Sequence, residues 1–199
     1  MILAPDLLFQ KKNQRTISSI AKNAAKSKKF GQLLYRIVKF YQPETIIELG
    51  TSLGITTSYL AKPKSGTKII TLEGAKEIVT VAKNNFKSLR LDNIETIEGN
   101  FDNTLPSAIQ QLRPSNHLFF VDGNHRYQPT VNYFNILLSK TNNYSIIIMD
   151  DIHWSKEMEQ AWQYCKDHLS VTLSIDLFFI GILIFRKEIK EKQHFVIRF

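Results

Sequence analysis

Cysteine is nearly absent: the 199-residue chain has one, Cys165. A single thiol excludes an internal disulfide framework and a zinc site built on cysteines. It suits a reducing, cytoplasmic setting. Long apolar runs are also missing, and no stretch reaches the roughly 18 uninterrupted apolar residues that a membrane-spanning helix needs. At the N-terminus, MILAPDLLFQKK has a short apolar part broken by Asp6, with its lysines behind it instead of ahead, so the signal-peptide pattern is lacking. Internal repeats, low-complexity segments and a second-domain boundary are absent as well. What is present favours a core: 43% of residues are hydrophobic and 11% aromatic, enough for one globular domain.

Acidic charge is scarce at both ends. Residues 1–45 hold nine Lys and Arg against Asp6 and Glu44, a net of +7, and residues 186–199 hold five against two, a net of +3. Since the whole chain nets +8, the middle is slightly acidic. A basic end can attract nucleic acid or anionic substrates, although solvated helix faces explain it equally. The expected division is a basic helical extension over 1–29 and a single domain over 30–199.

Residues 30–41, FGQLLYRIVKFY, place Leu33, Leu34, Ile37, Val38 and Tyr41 on one helical face. Pro43 ends that helix. Five strand–helix units follow. The strands are TIIEL, TKIITLE, IETIE, HLFFVD and YSIIIMD. Nearly continuous apolar strands alternating with helices predict a parallel sheet covered on both faces. VTLSID and FFIGILIF then stand about two residues apart, too close for a helical crossover, so a hairpin near Leu177–Phe178 must add an antiparallel strand. The fold class is α/β: a Rossmann-like, doubly wound, seven-stranded sheet, mostly parallel, with a C-terminal antiparallel hairpin.

In such sheets ligands sit at the C-terminal strand ends. The first turn reads ELGTSLG. It lacks the Gly-Lys-Ser/Thr of a phosphate loop and the G-x-G-x-x-G of a dinucleotide loop. The second strand ends in Glu73–Gly74, 23 residues after Gly50, where an acid can accept hydrogen bonds from both ribose hydroxyls. The third ends in Asn100, Phe101 and Asp102, where an adenine ring would lie. Together these describe a nucleoside ligand, and Glu48 ahead of the first glycine disfavours a pyrophosphate.

Over residues 30–186 the chain resembles the class I S-adenosylmethionine (AdoMet)-dependent methyltransferases. It shares the E-x-G-x-x-x-G loop, the acid ending strand two and the terminal hairpin. The resemblance implies AdoMet as cofactor. It assigns the methionine part to Glu48, Gly50, Thr51, Ser52 and Gly54, and the ribose to Glu73.

Strands four and five, expected to be neighbours, end in FFVDGNHRY and IIIMDDIHW. Asp122, Asp150 and Asp151 would converge there, and a divalent cation such as Mg²⁺ would offset their repulsion. This part is similar to the metal-dependent small-molecule O-methyltransferases of the catechol and caffeoyl-CoA type. Asp122 and Tyr127 match an aspartate and tyrosine of those families, and Asp150, Asp151 and Trp154 match Asp-Asn-x-x-Trp with Asp for Asn. The lysine of the pattern is absent and His125 stands near its place. The resemblance therefore implies Asp122 at the catalytic and cofactor sites, with His125 as candidate base. DGNHRY also resembles a broader bacterial set of methyltransferase-like proteins. His153 is weighed as a surface residue, Trp154 and Trp162 as packing, and Cys165 as buried and inert.

The expected function is methyl transfer to a hydroxyl of a small molecule. Alternatives are an RNA or protein methyltransferase, an NAD-dependent oxidoreductase, and a nucleoside-binding protein without turnover. The expected partner is a small-molecule acceptor. The basic N-terminus leaves nucleic acid open, and a homodimer is also left open.

Overall fold

The computed structural model describes residues 28–63, 66–113 and 115–198. Most of the expected basic extension, residues 1–27, lies outside the described residues. Lys28 and Lys29 belong to the first helix, α1 (Lys28–Tyr41). The alternating units are β1 (Thr45–Leu49), α2 (Ile55–Ala61), β2 (Lys68–Glu73), α3 (Lys76–Ser88), β3 (Ile94–Glu98), α4 (Phe101–Gln110), β4 (His117–Val121), α5 (Tyr127–Leu138), β5 (Ile146–Asp150) and α6 (Lys156–Asp167). Three strands close the chain: β6 (Leu173–Asp176), β7 (Ile180–Ile184) and β8 (Gln193–Val196).

The strands form one sheet in the order β3-β2-β1-β4-β5-β7-β6-β8. The first five are parallel, and β7 runs antiparallel between β5 and β6. The order reverses between β1 and β4, so the crevice for a ligand opens at their C-terminal ends. Successive residues of the buried strands serve opposite faces. Ile47, Leu49 and Phe119 pack under α4, α5 and α6, while Ile46, Phe120 and Ile148 pack under α1 and α2. Burying each such side chain contributes about 1.5–3 kcal/mol. Trp162 packs in the core against Gly181, as weighed.

The sheet has eight strands among the described residues, one more than the sequence reading counted. The addition is β8, which pairs in parallel with β6 at the sheet edge. All four of its residues are exposed, so no burial pattern announced it. The expected hairpin is present and its turn centres on Phe178. That residue has φ 72°, and the Phe179 N–H donates to the Leu177 carbonyl at 3.0 Å. A bond spanning three residues with positive φ is the mark of a γ-turn, a strained geometry for a non-glycine residue.

Candidate functional site

The β1–α2 turn is built where two strand ends cross. The Asp122 N–H donates to the Leu49 carbonyl at 2.9 Å, bringing the end of β4 against the turn. Gly50 has φ 99°, and a Cβ there would lie 2.0 Å from the Asp122 carbonyl oxygen. No other residue fits. Ser52 is also in the left-handed region, at φ 46°, and its N–H donates to Glu73 Oε2 at 2.9 Å. The other Glu73 oxygen accepts from the Ala75 N–H at 3.1 Å. Two amides thus hold the Glu73 carboxylate at the rim, and each oxygen keeps a second lone pair for a ligand. Gly54 closes the turn against the Phe86 ring, and Gly74 is open on the outside.

Glu48 lies one layer below. It is fully buried, and its Oε2 accepts from Thr57 Oγ1 at 2.5 Å and Thr71 Oγ1 at 2.6 Å. With the Thr71 proton so used, Thr51 Oγ1 donates to Thr71 Oγ1 at 2.6 Å, which ties the turn to the acid. Oε1 has no hydrogen-bond partner among the described residues. Burial pushes the Glu48 carboxyl up to about 7, and the nearby Glu73 adds to this, while the two threonine bonds oppose it. Glu48 therefore props the turn from within the core.

At the third strand end, Asn100 caps α4 by accepting the Asp102 N–H at 2.9 Å. Phe101 meets the Tyr133 ring edge-on, with centroids 6.1 Å apart. A Cβ on Gly123 would lie 2.5 Å from the Phe101 ring. Tyr133 donates to Asp102 Oδ1 at 3.0 Å and accepts from Asn124 Nδ2 at 3.1 Å. Burial raises the Tyr133 phenol above its ordinary value, which keeps it a donor. These bonds join the start of α4 and the middle of α5 to the loop after β4.

The structure brings His125, Asp122 and Asp151 together. His125 Nε2 lies 3.5 Å from Asp122 Oδ1 and 4.0 Å from Asp151 Oδ2, and all three side chains are partly exposed. Asp150 does not share this rim in the same way. It is fully buried as the last residue of β5, paired with Ile180. The chain turns immediately after it: Asp151 has φ 53°, and its N–H donates to the Phe179 carbonyl at 2.7 Å. Among the described residues no group of three or more His, Cys, Asp or Glu side chains is arranged to hold a metal ion. The three-carboxylate cation site expected from the sequence is not shown: Asp150 is buried, whereas Asp122 and Asp151 are partly exposed beside His125.

A feature absent from the sequence reading stands beside this rim. His153 Nε2 lies 2.8 Å from Asp176 Oδ2, and the Phe178 N–H donates to Asp176 Oδ1 at 2.8 Å. The imidazole is stacked on the Phe178 ring with centroids 5.5 Å apart and planes at 28°. Glu159 lies 3.5 Å from His153 Nδ1. Burial alone would raise the Asp176 carboxyl, but the Phe178 amide and the His153 ring outweigh it and lower it. Phe178 is 63% exposed and Trp154 is 74% exposed. Trp154 thus stands largely in solvent and not in the core packing expected of it. It sits in the β5–α6 turn, its N–H donating to the Asp151 carbonyl at 3.0 Å. The Asp-Asp-x-x-Trp spacing is the sequence signal that singles it out. No local signal links His153 to Asp176.

Comparison with known proteins places this geometry. A family model described as a methyltransferase domain matches residues 47–152, which covers every strand end discussed except those of the hairpin. Among solved structures, cofactor-bound Rv0187 from MTB superposes with a TM-score of 0.74 at 20% identity, covering 82% of this chain and 83% of that one. The O-methyltransferase TomG from Streptomyces achromogenes, in complex with SAM, gives 0.73 at 18% identity, with 91% and 95% covered. The O-methyltransferase from Bacillus cereus in complex with SAH gives 0.69 at 18% identity, with 89% and 94% covered. At these identities the likeness is one of fold. A curated relative, the uncharacterized protein R132 of Acanthamoeba polyphaga mimivirus, is 26% identical over 125 residues. That match spans 59% of this chain and 57% of the relative.

Proposed function

Because the chain belongs to the methyltransferase-domain family, we propose that it is an AdoMet-dependent methyltransferase acting on a hydroxyl oxygen of a small molecule. The crevice at the ends of β1 and β2 fits the cofactor. Gly50 lets the turn close on the Asp122 carbonyl, Gly123 makes room for the Phe101 ring, and Glu73 presents two oxygens with capacity to spare. Glu73 would hold the ribose hydroxyls, the 50–54 turn the methionine part, and Phe101 and Asp102 the base. Bound AdoMet supplies a methyl group already activated on a sulfonium.

The protein's task is then to hold and deprotonate the acceptor. The observation that carries this reading is the position of His125, with Nε2 facing Asp122 and Asp151. In that orientation Nε2 keeps its proton and Nδ1 is left to take the acceptor's. The charge that arises on the imidazole is stabilised by the two carboxylates. Asp122 belongs to the same backbone crossing as Gly50, so base and cofactor turn are held in one register. Divalent-cation assistance is not needed in this scheme. The exposed Trp154 and Phe178 rings favour an acceptor with a flat aromatic ring.

The test is an incubation with AdoMet and a panel of phenolic and aliphatic alcohols, with EDTA or Mg²⁺, reading AdoHcy and methylated product by mass spectrometry. A methylated phenol is expected, at the same rate with EDTA. His125→Ala should lower turnover by about 10²–10⁴ with AdoMet affinity retained. Absence of AdoHcy with every acceptor, or activity that vanishes with EDTA, contradicts the proposal.

A further inference from the structure

Asp176 is a buried acid with both oxygens committed, remote in sequence from the residues that hold the cofactor and the base. One oxygen accepts the amide of Phe178, the residue in the strained turn. The other meets the imidazole on which that same Phe178 ring lies. His153 is two residues beyond Asp151, and the Asp151 amide is bound to the carbonyl of Phe179. A single carboxylate thus joins the hairpin turn to the β5–α6 turn, whose Asp151 lies 4.0 Å from His125 Nε2. The consequence is visible in Phe178. A ring left so exposed on a γ-turn would ordinarily sample several orientations, yet here it is backed by an imidazole that is itself held at 2.8 Å. Such an arrangement fixes one ring face toward solvent beside the proposed acceptor position.

We propose that Asp176 is a positioning residue for the acceptor: through His153 and the Phe178 amide it holds the Phe178 ring as a rigid wall that selects flat, aromatic hydroxyl compounds over puckered ones. The inference rests on the methyltransferase reading above and adds its selectivity element. Asp176 and His153 touch neither acceptor nor cofactor; they act through Phe178. Fixing the ring beforehand removes ordering cost from binding, and a stacked aromatic contact rewards planarity.

The test uses the AdoHcy-loaded full chain, with catechol as a planar probe and cyclohexane-1,2-diol as its puckered counterpart, both titrated by calorimetry. The wild type should bind catechol at least about tenfold more tightly than the diol. Asp176→Ala should weaken catechol about tenfold and erase the preference, with AdoHcy affinity unchanged. Asp176→Asn should keep most of both, since its amide oxygen still accepts the Phe178 N–H and its amide nitrogen still meets His153. A general loss of stability would not separate the two probes or spare AdoHcy. If Asp176→Ala does not fold, His153→Ala and Phe178→Leu must each lose the preference. Equal probe affinities in the wild type, no binding of catechol, an unchanged Asp176→Ala, or an Asp176→Asn as weak as Asp176→Ala would each overturn the inference. Failure of AdoHcy itself to bind would instead remove the reading beneath it.

Discussion

Glu48→Gln isolates the electrostatic cost of the buried acid beneath the Gly50–Gly54 turn. In the folded protein the Glu48 carboxyl titrates near 7, raised from 4.5 chiefly by burial. The folded state therefore binds a proton more tightly than the unfolded chain. The sign follows from linkage: the contribution of Glu48 to stability is fully present below about pH 4.5, is lost as pH rises from 4.5 through about 7, and stays lost above. At about 1.4 kcal/mol per pKa unit, the total loss is on the order of 3 kcal/mol. Glutamine keeps an oxygen to accept from Thr57 and Thr71 but cannot ionise. It leaves a buried amide N–H₂ beside the position of Oε1, a fixed cost of about 1–3 kcal/mol that does not vary with pH. The difference between the two proteins therefore cancels other titrations and retains that of Glu48. Urea unfolding of both at intervals from pH 4.5 to 8 should show the variant gaining about 3 kcal/mol on the wild type across that range. Parallel stability curves would refute the reasoning, since Glu48 would then be ionised when folded at no cost.

Two further outcomes follow from the same geometry. Gly50→Ala should cost at least about 2–3 kcal/mol in urea unfolding, because it combines a left-handed φ with a Cβ on the Asp122 carbonyl, and a neutral effect would mean the strand ends do not cross as described. Cys165 is buried in α6 and burial raises its thiol strongly, so it should resist a thiol reagent in the native state and react on unfolding; rapid native labelling would contradict its placement.

The five strand–helix units were legible because their strands are short, apolar and bounded by turn residues, and burial on both faces leaves that trace directly in composition. The position of Glu73 at the end of β2 was legible for a related reason: an acid closing an apolar strand run is a local pattern. The edge strand β8 was not, since Gln193–Val196 pairs through its backbone and buries no side chain. Asp150 and Asp151 are adjacent in sequence yet differ in exposure, Asp150 being buried at the end of β5 and Asp151 partly exposed in a left-handed turn, a difference that the run of two acids does not announce. Glu48 matched the acid of the E-x-G-x-x-x-G loop, while its burial against Thr57 and Thr71 comes from packing across the sheet that no local pattern shows. The His153–Asp176 pair joins residues 23 apart across the hairpin, a contact decided by sheet order that no local pattern encodes.

The central claim is that the turn from Gly50 to Gly54 and the Glu73 carboxylate form an AdoMet site. The most direct measurement is calorimetric titration of AdoMet into the full chain, with NAD as control and with Glu73→Ala alongside. The account predicts one-to-one binding of AdoMet, none of NAD, and an affinity at least about tenfold weaker in a folded Glu73→Ala, the loss associated with removing a charge-assisted hydrogen bond. Binding of NAD in place of AdoMet, or AdoMet bound equally well without Glu73, would contradict it.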